Sequence, residues 1–314
     1  MDFLPSDEET ELAGLVRRIC GDLVTKEVLG SHGEGGFDRG VWDALLAAGV
    51  LEAGWLAQCA ALVEVGRTLA PVPYVTAVAS GRGDKVYALA LPDAGLPSGF
   101  AVHDGLLSGS QTAVMFGAFA DAFLIPADGK VFLVEQADVR AQRTVDHADA
   151  ALVELEDAPG EPLDLDPELL RQRMTVALCA VQLGVLESAL HRTAGYARTR
   201  KQFDHPIGSF QAVRQRLADA YIDVEAVRLT LWQAAWRLSE ELPAAEEVAT
   251  AKYWAAEAGH RVAHTAVHVH GGVGIDVDHE LHRYFAAAKR IEFALGGATA
   301  QLRALGGLLA AEPA

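Results

Sequence analysis

The sequence predicts an α+β protein, mainly α: an N-terminal helical domain over 1–84, a small β-barrel-like domain over 85–163 and a C-terminal four-helix bundle over 164–314. Three observations predict it. Apolar residues recur at helical spacing in the first part of the chain and again after Pro162, and between these regions lie short apolar runs cut by Gly, Pro and Asp. With 51% hydrophobic and 22% charged residues in 314, the chain has enough apolar surface to bury a full core, which excludes disorder.

The first helix follows Ser6. Asp7, Glu8 and Glu9 place acids in its first turn, where the helix dipole favours them, and Leu12, Leu15, Val16, Ile19 and Leu23 form one stripe. Phe37 and Asp38 open a second helix carrying Val41, Trp42, Leu45 and Leu46, and Leu56 to Leu69 makes a third that Pro71 and Pro73 stop. From about Lys85 the texture is that of short strands, with hairpins expected at Asp104-Gly105 and Asp128-Gly129. Beyond Pro162, Leu170, Met174, Ala177, Val181, Val185 and Leu186 mark one long helix, and Phe210, Val213, Leu217, Val224, Leu231 and Leu238 a second that ends near Pro243. Val248 to His268 is a third, and His279 to Leu309 gives one or two more, interrupted at Gly296-Gly297. Wide apolar arcs and short connections make this an antiparallel bundle.

The formal net charge of −17, with Lys and Arg interleaved among acids, excludes a nucleic acid or an anionic membrane as partner. Apolar runs such as Val176 to Val185 are short and broken by Ala and Gln, and Met1 to Cys20 is acidic, so no membrane span is expected and a cytoplasmic protein is. Cys20, Cys59 and Cys179 lack metal-ligand spacing and sit among apolar neighbours, as small buried hydrophobes do. His260, His264 and His268 fall at i, i+4 and i+8 on one helix face, but no further ligand selects itself, so no metal is expected.

Two stretches carry the chemistry, Tyr196 to Gln211 and His268 to Gly274. In the first, a guanidinium (Arg200), an amide (Gln202) and a ring (Phe203) precede a turn at Asp204-His205-Pro206. That set suits a pyrophosphate and a flat heterocycle, and it equally suits a plain helix hairpin with a solvated Arg and a core Phe. In the second, Gly271, Gly272 and Gly274 either bring backbone close to a phosphate or simply cap a helix. They do not follow a strand, which rules out a Rossmann fingerprint.

YARTRKQFDHPIGSFQAVRQRLAD, AKYWAAEAG and HVHGGVGIDVDHELHRYFAAAKR, in this order and spacing, resemble the acyl-CoA dehydrogenase family from about Pro167 to the end. FDRGVWDALLAAGVL, LVEVGRTLAPVPY and LSGSQTAVMFGAFADAFLIP resemble it more faintly in the first half. The resemblance implies that fold, FAD as cofactor, an acyl-CoA substrate oxidised between its α and β carbons, a Glu base, and electron-transfer flavoprotein as electron carrier. It also implies paired subunits, each holding the adenosine and pyrophosphate of its neighbour's FAD. Carried over position by position, those contacts are Arg200, Gln202, Phe203, Gln211, Gly271 and Gly272, with His268 where the family usually has Gln.

The departures concern the chemistry. Leu295 and Met174 stand at the two places where family members carry the base, and Glu292 lies three residues before Leu295. The flavin-contacting stretch of the family becomes Ala88 to Pro97, which keeps Pro92 and Gly95 but loses the hydroxyls and acids, and a Gly-rich loop is missing between Leu51 and Gln58. The expectation is therefore the non-catalytic subunit of a heteromeric, α2β2-type acyl-CoA dehydrogenase, similar to those associated with actinobacterial steroid side-chain degradation. Its partner would be a homologous subunit carrying the catalytic Glu, and its substrate class a bulky polycyclic acyl-CoA. The sequence leaves open a homomeric dehydrogenase using Glu292 or another acid, a redox-dead acyl-CoA or FAD scaffold, and an oxidase passing electrons to oxygen.

Overall fold

The computed structural model describes residues 4–26, 28–29 and 36–311. It begins with α1 (Asp7–Leu23), which Ser6 caps: the Ser6 hydroxyl accepts from the Glu9 amide at 3.2 Å and donates to its carboxylate at 3.0 Å. Helix α2 (Arg39–Ala47) starts at Asp38, whose carboxylate accepts from the Val41 amide at 2.8 Å. Helix α3 (Trp55–Thr68) follows, and then α4 (Tyr74–Ser80). The sequence reading takes Pro71 and Pro73 as a stop and does not foresee α4. Pro73 is its N-cap, because a fixed φ and a missing donor suit the start of a helix as well as the end of one.

Eight strands come next: β1 (Tyr87–Leu89), β2 (Phe100–His103), β3 (Leu106–Met115), β4 (Ala122–Ala127), β5 (Lys130–Val134), β6 (Asp138–Ala141), β7 (Ala150–Ala158) and β8 (Glu161–Leu163). They form two four-stranded sheets, ordered β1-β4-β5-β8 and β2-β3-β7-β6, with only β1 and β4 parallel. Phe123, Ile125 and Phe132 of one sheet meet Phe100, Leu107 and Val153 of the other in a shared core. Asp104-Gly105 and Asp128-Gly129 form the two expected hairpin turns, with all four residues at positive φ as a primed turn requires.

The C-terminal part consists of α5 (Pro167–Thr199), α6 (Gln211–Ser239), α7 (Ala245–His270), α8 (Leu281–Phe293) and α9 (Ala298–Ala311). Helix α5 is the hub, packing on α3, α4, α6, α7 and α8. It touches α3 backbone to backbone: a Cβ on Gly66 would fall 2.0 Å from the Val181 carbonyl oxygen, and one on Gly184 1.9 Å from that of Val63. By length and composition α5 could cross a bilayer, which the short runs of the sequence do not suggest, yet 72% of its most apolar window is buried inside the protein. Leu183 and Leu186 are fully buried there, each contributing about 2 kcal/mol of transfer free energy. The Glu187 carboxylate of α5 pairs with Arg67 of α3 and Arg228 of α6, tying three helices at one point.

Candidate functional site

Helix α5 ends at Arg200, whose carbonyl accepts from the Ile207 amide at 2.8 Å and so closes the turn into α6. Within that turn β9 (Lys201–Gln202) and β10 (His205–Pro206) pair with Gln202 opposite His205. Phe203 and Asp204 are left as the two central residues, at φ 52° and 62°. A left-handed backbone suits Asn or Gly; a Phe there costs about 1 kcal/mol. Phe203 is also 85% exposed, with only its edge against Phe210 at 6.3 Å between centroids. The core-Phe alternative therefore fails: the chain accepts both strain and solvent exposure to hold an aromatic ring outward.

The charges around this ring are free. Arg198, Arg200, Lys201 and Arg216 are exposed and form no salt bridge among the described residues, whereas Arg17, Arg67, Arg192, Arg228 and Arg261 are all ion-paired. Gln202 and Gln211 are exposed beside them, Gln211 as the first residue of α6.

The second stretch leaves the end of α7 through Gly271 at φ 64°, ψ −140°, which is not the left-handed conformation of a simple cap and is accessible only to glycine. A Cβ placed on Gly271 or Gly272 would meet nothing within 4 Å, so backbone is open to close approach here, while one on Gly274 would fall 2.9 Å from the Val267 carbonyl oxygen. His268 is exposed on the last turn of α7. The two stretches abut, because the Tyr196 ring stacks on His270 at 4.3 Å between centroids and 20° between planes.

Between the sheets and the bundle lies a cavity of about 400 Å³. Met174 of α5 and Leu295 of the α8–α9 loop both line it, together with Leu89, Leu91, Met115 and Phe293. Both positions at which an acid would be expected thus open onto one chamber, and both side chains are apolar. Among the described residues the exposed Asp93 is the carboxylate lining it, and Lys289 and Arg290 line it as well. Glu292 does not line it. Its side chain faces α7, with one oxygen 2.6 Å from Lys289 Nζ and the other 3.3 Å from His260 Nδ1.

The loop bearing Leu295 is clamped. Lys252, fully buried on α7, donates to the carbonyls of Ile291 and Glu292 at 2.9 and 3.1 Å, satisfying orphan acceptors at the end of α8. Gln301 donates to Leu295 and Gly296, and the Ala94 amide to Leu295 at 3.3 Å, which fastens the loop to the sheet domain. Burial pushes the Lys252 ammonium down to about 8, with Cys179 and the Asp93 and Glu292 carboxylates opposing it. Leu295 itself sits at φ 56°, a second strained side chain at this site.

The histidine stripe is partly gathered: the His260 and His264 rings lie 4.5 Å apart, and burial, then the His260 and Lys289 charges, depress the His264 imidazole. Among the described residues no group of three or more His, Cys, Asp or Glu side chains is arranged to hold a metal. Cys20, Cys59 and Cys179 are free and buried, and desolvation raises each thiol. Lys252, Asp93 and the Tyr196–His270 stack are not among the residues the sequence reading selects. Only Lys252 leaves a sequence signal: it shares the buried α7 face with Val248, Ala251 and Ala255.

A helix–sheet–helix chain with a chamber between its sheets and its bundle has the architecture of a flavin-dependent dehydrogenase. The chain belongs to the acyl-CoA dehydrogenase family. Residues 168–307 match the acyl-CoA dehydrogenase C-terminal domain. The chain is 44% identical to acyl-CoA dehydrogenase FadE27 of Mycobacterium tuberculosis, over 100% of both chains. Among solved structures it is similar to a chain of the ChsE4-ChsE5 complex from Mycobacterium tuberculosis (TM-score 0.90, 43% identity, 100% of both chains). It is also similar to a chain of the Tcur3481-Tcur3483 steroid ACAD (TM-score 0.87, 34% identity, 97% of this chain and 98% of that one). The cofactor of the family is FAD, and the exposed Phe203, the free Arg200 and the open backbone at Gly271 and Gly272 fit its adenosine and pyrophosphate.

Proposed function

We propose that this chain is the non-catalytic subunit of a heteromeric FAD-dependent acyl-CoA dehydrogenase, and that it holds the adenosine and pyrophosphate of an FAD whose flavin ring works in a partner subunit. The observation carrying this reading is the shared chamber. Met174 and Leu295, which stand where the family resemblance puts a proton acceptor, come from different elements to line one cavity, and neither side chain can take a proton. FAD, when bound, supplies the hydride acceptor for α,β-dehydrogenation of the thioester. Each residue of this chain then has a defined task. The Arg200 guanidinium neutralises pyrophosphate oxygens, the Phe203 ring offers a face to adenine, and Gln202 and Gln211 give amides to polar edges. Gly271 and Gly272 let backbone approach a phosphate, and His268 adds a ring nitrogen beside them. The homologous partner contributes the Glu that removes the α proton.

The similarity to a chain of a solved steroid ACAD supports a bulky polycyclic acyl-CoA as substrate. Electron-transfer flavoprotein is the proposed acceptor and the cytoplasm the proposed location. Glu292 as base in a homomeric enzyme is disfavoured, since its carboxylate is engaged by Lys289 and His260 and is not among the groups lining the chamber. The test is to purify the chain alone and together with the homologous subunit that carries the catalytic Glu. Stoichiometric FAD and turnover only in the complex is the expected result; stable FAD and turnover by this chain alone would sink the proposal.

A further inference from the structure

We infer that the Tyr196–His270 stack sets the spacing between the two halves of the FAD-binding cradle, so that both rings are positioning residues for cofactor capture; this rests on the cradle role proposed above. Tyr196 lies one helical turn before Arg200, and its carbonyl accepts from the Arg200 amide at 2.8 Å. His270 directly precedes Gly271, where the backbone turns to expose Gly271 and Gly272. Ring against ring, the two side chains join the end of α5 to the end of α7, in near-parallel contact at 4.3 Å.

His270 is held on both sides. It is 5% exposed, and its Nδ1 lies 2.8 Å from the Ala266 carbonyl, so Nδ1 carries the proton and donates. The ring therefore cannot rotate without breaking that bond. Gly208 keeps the other side close, since a Cβ there would fall 3.0 Å from the carbonyl of Ala197, the neighbour of Tyr196. A displacement of either ring moves Arg200 and Phe203 relative to the open glycines, and a pyrophosphate bridging both halves then loses one of them.

Among the described residues the rings seen against His270 are Tyr196 from α5 and His279 from the turn before α8, whose ring centroid is 5.5 Å away. Desolvation depresses His270, with the Ala266 bond opposing and the His279 charge adding to the depression.

The test uses the FAD-loaded heteromer with variants of this chain, and Arg200→Ala as reference. Tyr196→Leu and His270→Leu are expected to raise the FAD Kd about fivefold, the order an aromatic pair contributes, leaving the acyl-CoA KM at saturating FAD unchanged. His270→Phe restores a stacking face, so its Kd is expected to stay close to wild type at pH 8. Wild-type affinity in both Leu variants, with Arg200→Ala losing FAD, overturns this inference and leaves the cradle standing. Unchanged affinity in Arg200→Ala overturns the cradle reading itself. Should the Leu variants fail to fold, His270→Phe decides: an FAD Kd close to wild type supports the stack as the tie, and a loss as large as that of Arg200→Ala refutes it.

Discussion

Replacing Phe203 by Asn separates stability from function at this site. Phe203 sits at φ 52° and is 85% exposed, so in the isolated chain it contributes backbone strain and almost no burial. Asn adopts a left-handed backbone readily, and relief of about 1 kcal/mol is expected. With a denaturant slope of about 3 kcal/mol/M, the urea midpoint of the isolated chain should rise by about 0.3 M. In the heteromer the same change removes a stacking face for adenine, a loss of about 1.5 kcal/mol that weakens FAD about tenfold, read by flavin fluorescence titration. A lower urea midpoint would refute the strain argument. An unchanged FAD Kd would refute the claim that the ring is held out for the cofactor.

Other consequences follow from the chamber and its clamp. Leu295→Glu places a carboxyl at a position 9% exposed, in a chamber that Lys289 and Arg290 also line; the desolvation cost should still exceed what those cations return, destabilising the chain by about 1 kcal/mol in urea unfolding, and the chain alone should show no dehydrogenase turnover. Glu292→Gln should leave turnover of the heteromer within about twofold, because an ion-paired group outside the chamber touches no substrate; complete loss of activity would restore the homomeric reading. Lys252 titrates near 8 when folded and at its ordinary 10.5 when unfolded. The unfolded chain therefore binds more protons between these values, and stability attributable to Lys252 rises with pH across that window. Unfolding free energies of wild type and Lys252→Met measured from pH 7.5 to 10.5 should diverge with that sign, and parallel curves would contradict it.

Much of this architecture is legible in the sequence because local signals agree with the global fold. Ser6 and Asp38 announce their helices by capping chemistry, and the stripes of α1, α3 and α6 mark the faces that become buried. The failures have physical causes. Pro73 starts a helix that a stop signal conceals, and β6 and β8 are short edge strands, mostly exposed, with no clean alternation to betray them. At the site, residue types give Arg200, Gln202 and Phe203 as a set, but not the strain at Phe203 or the absence of ion pairs around it, which exist only in three dimensions. Met174 and Leu295 can be named from their places in the chain. Their meeting in one chamber cannot, since α5 and the α8–α9 loop are distant in sequence. The Tyr196–His270 contact is hidden for the same reason.

The central claim is that the proton acceptor sits on the partner polypeptide, and anaerobic flavin bleaching in the heteromer on mixing with acyl-CoA tests it most directly. The partner's glutamate is replaced by Gln in one preparation, and Asp93 and Glu292 of this chain by Asn and Gln in another. The account predicts that bleaching is abolished in the first and keeps its wild-type rate in the second. Loss of bleaching in the second, with the first unaffected, would contradict it.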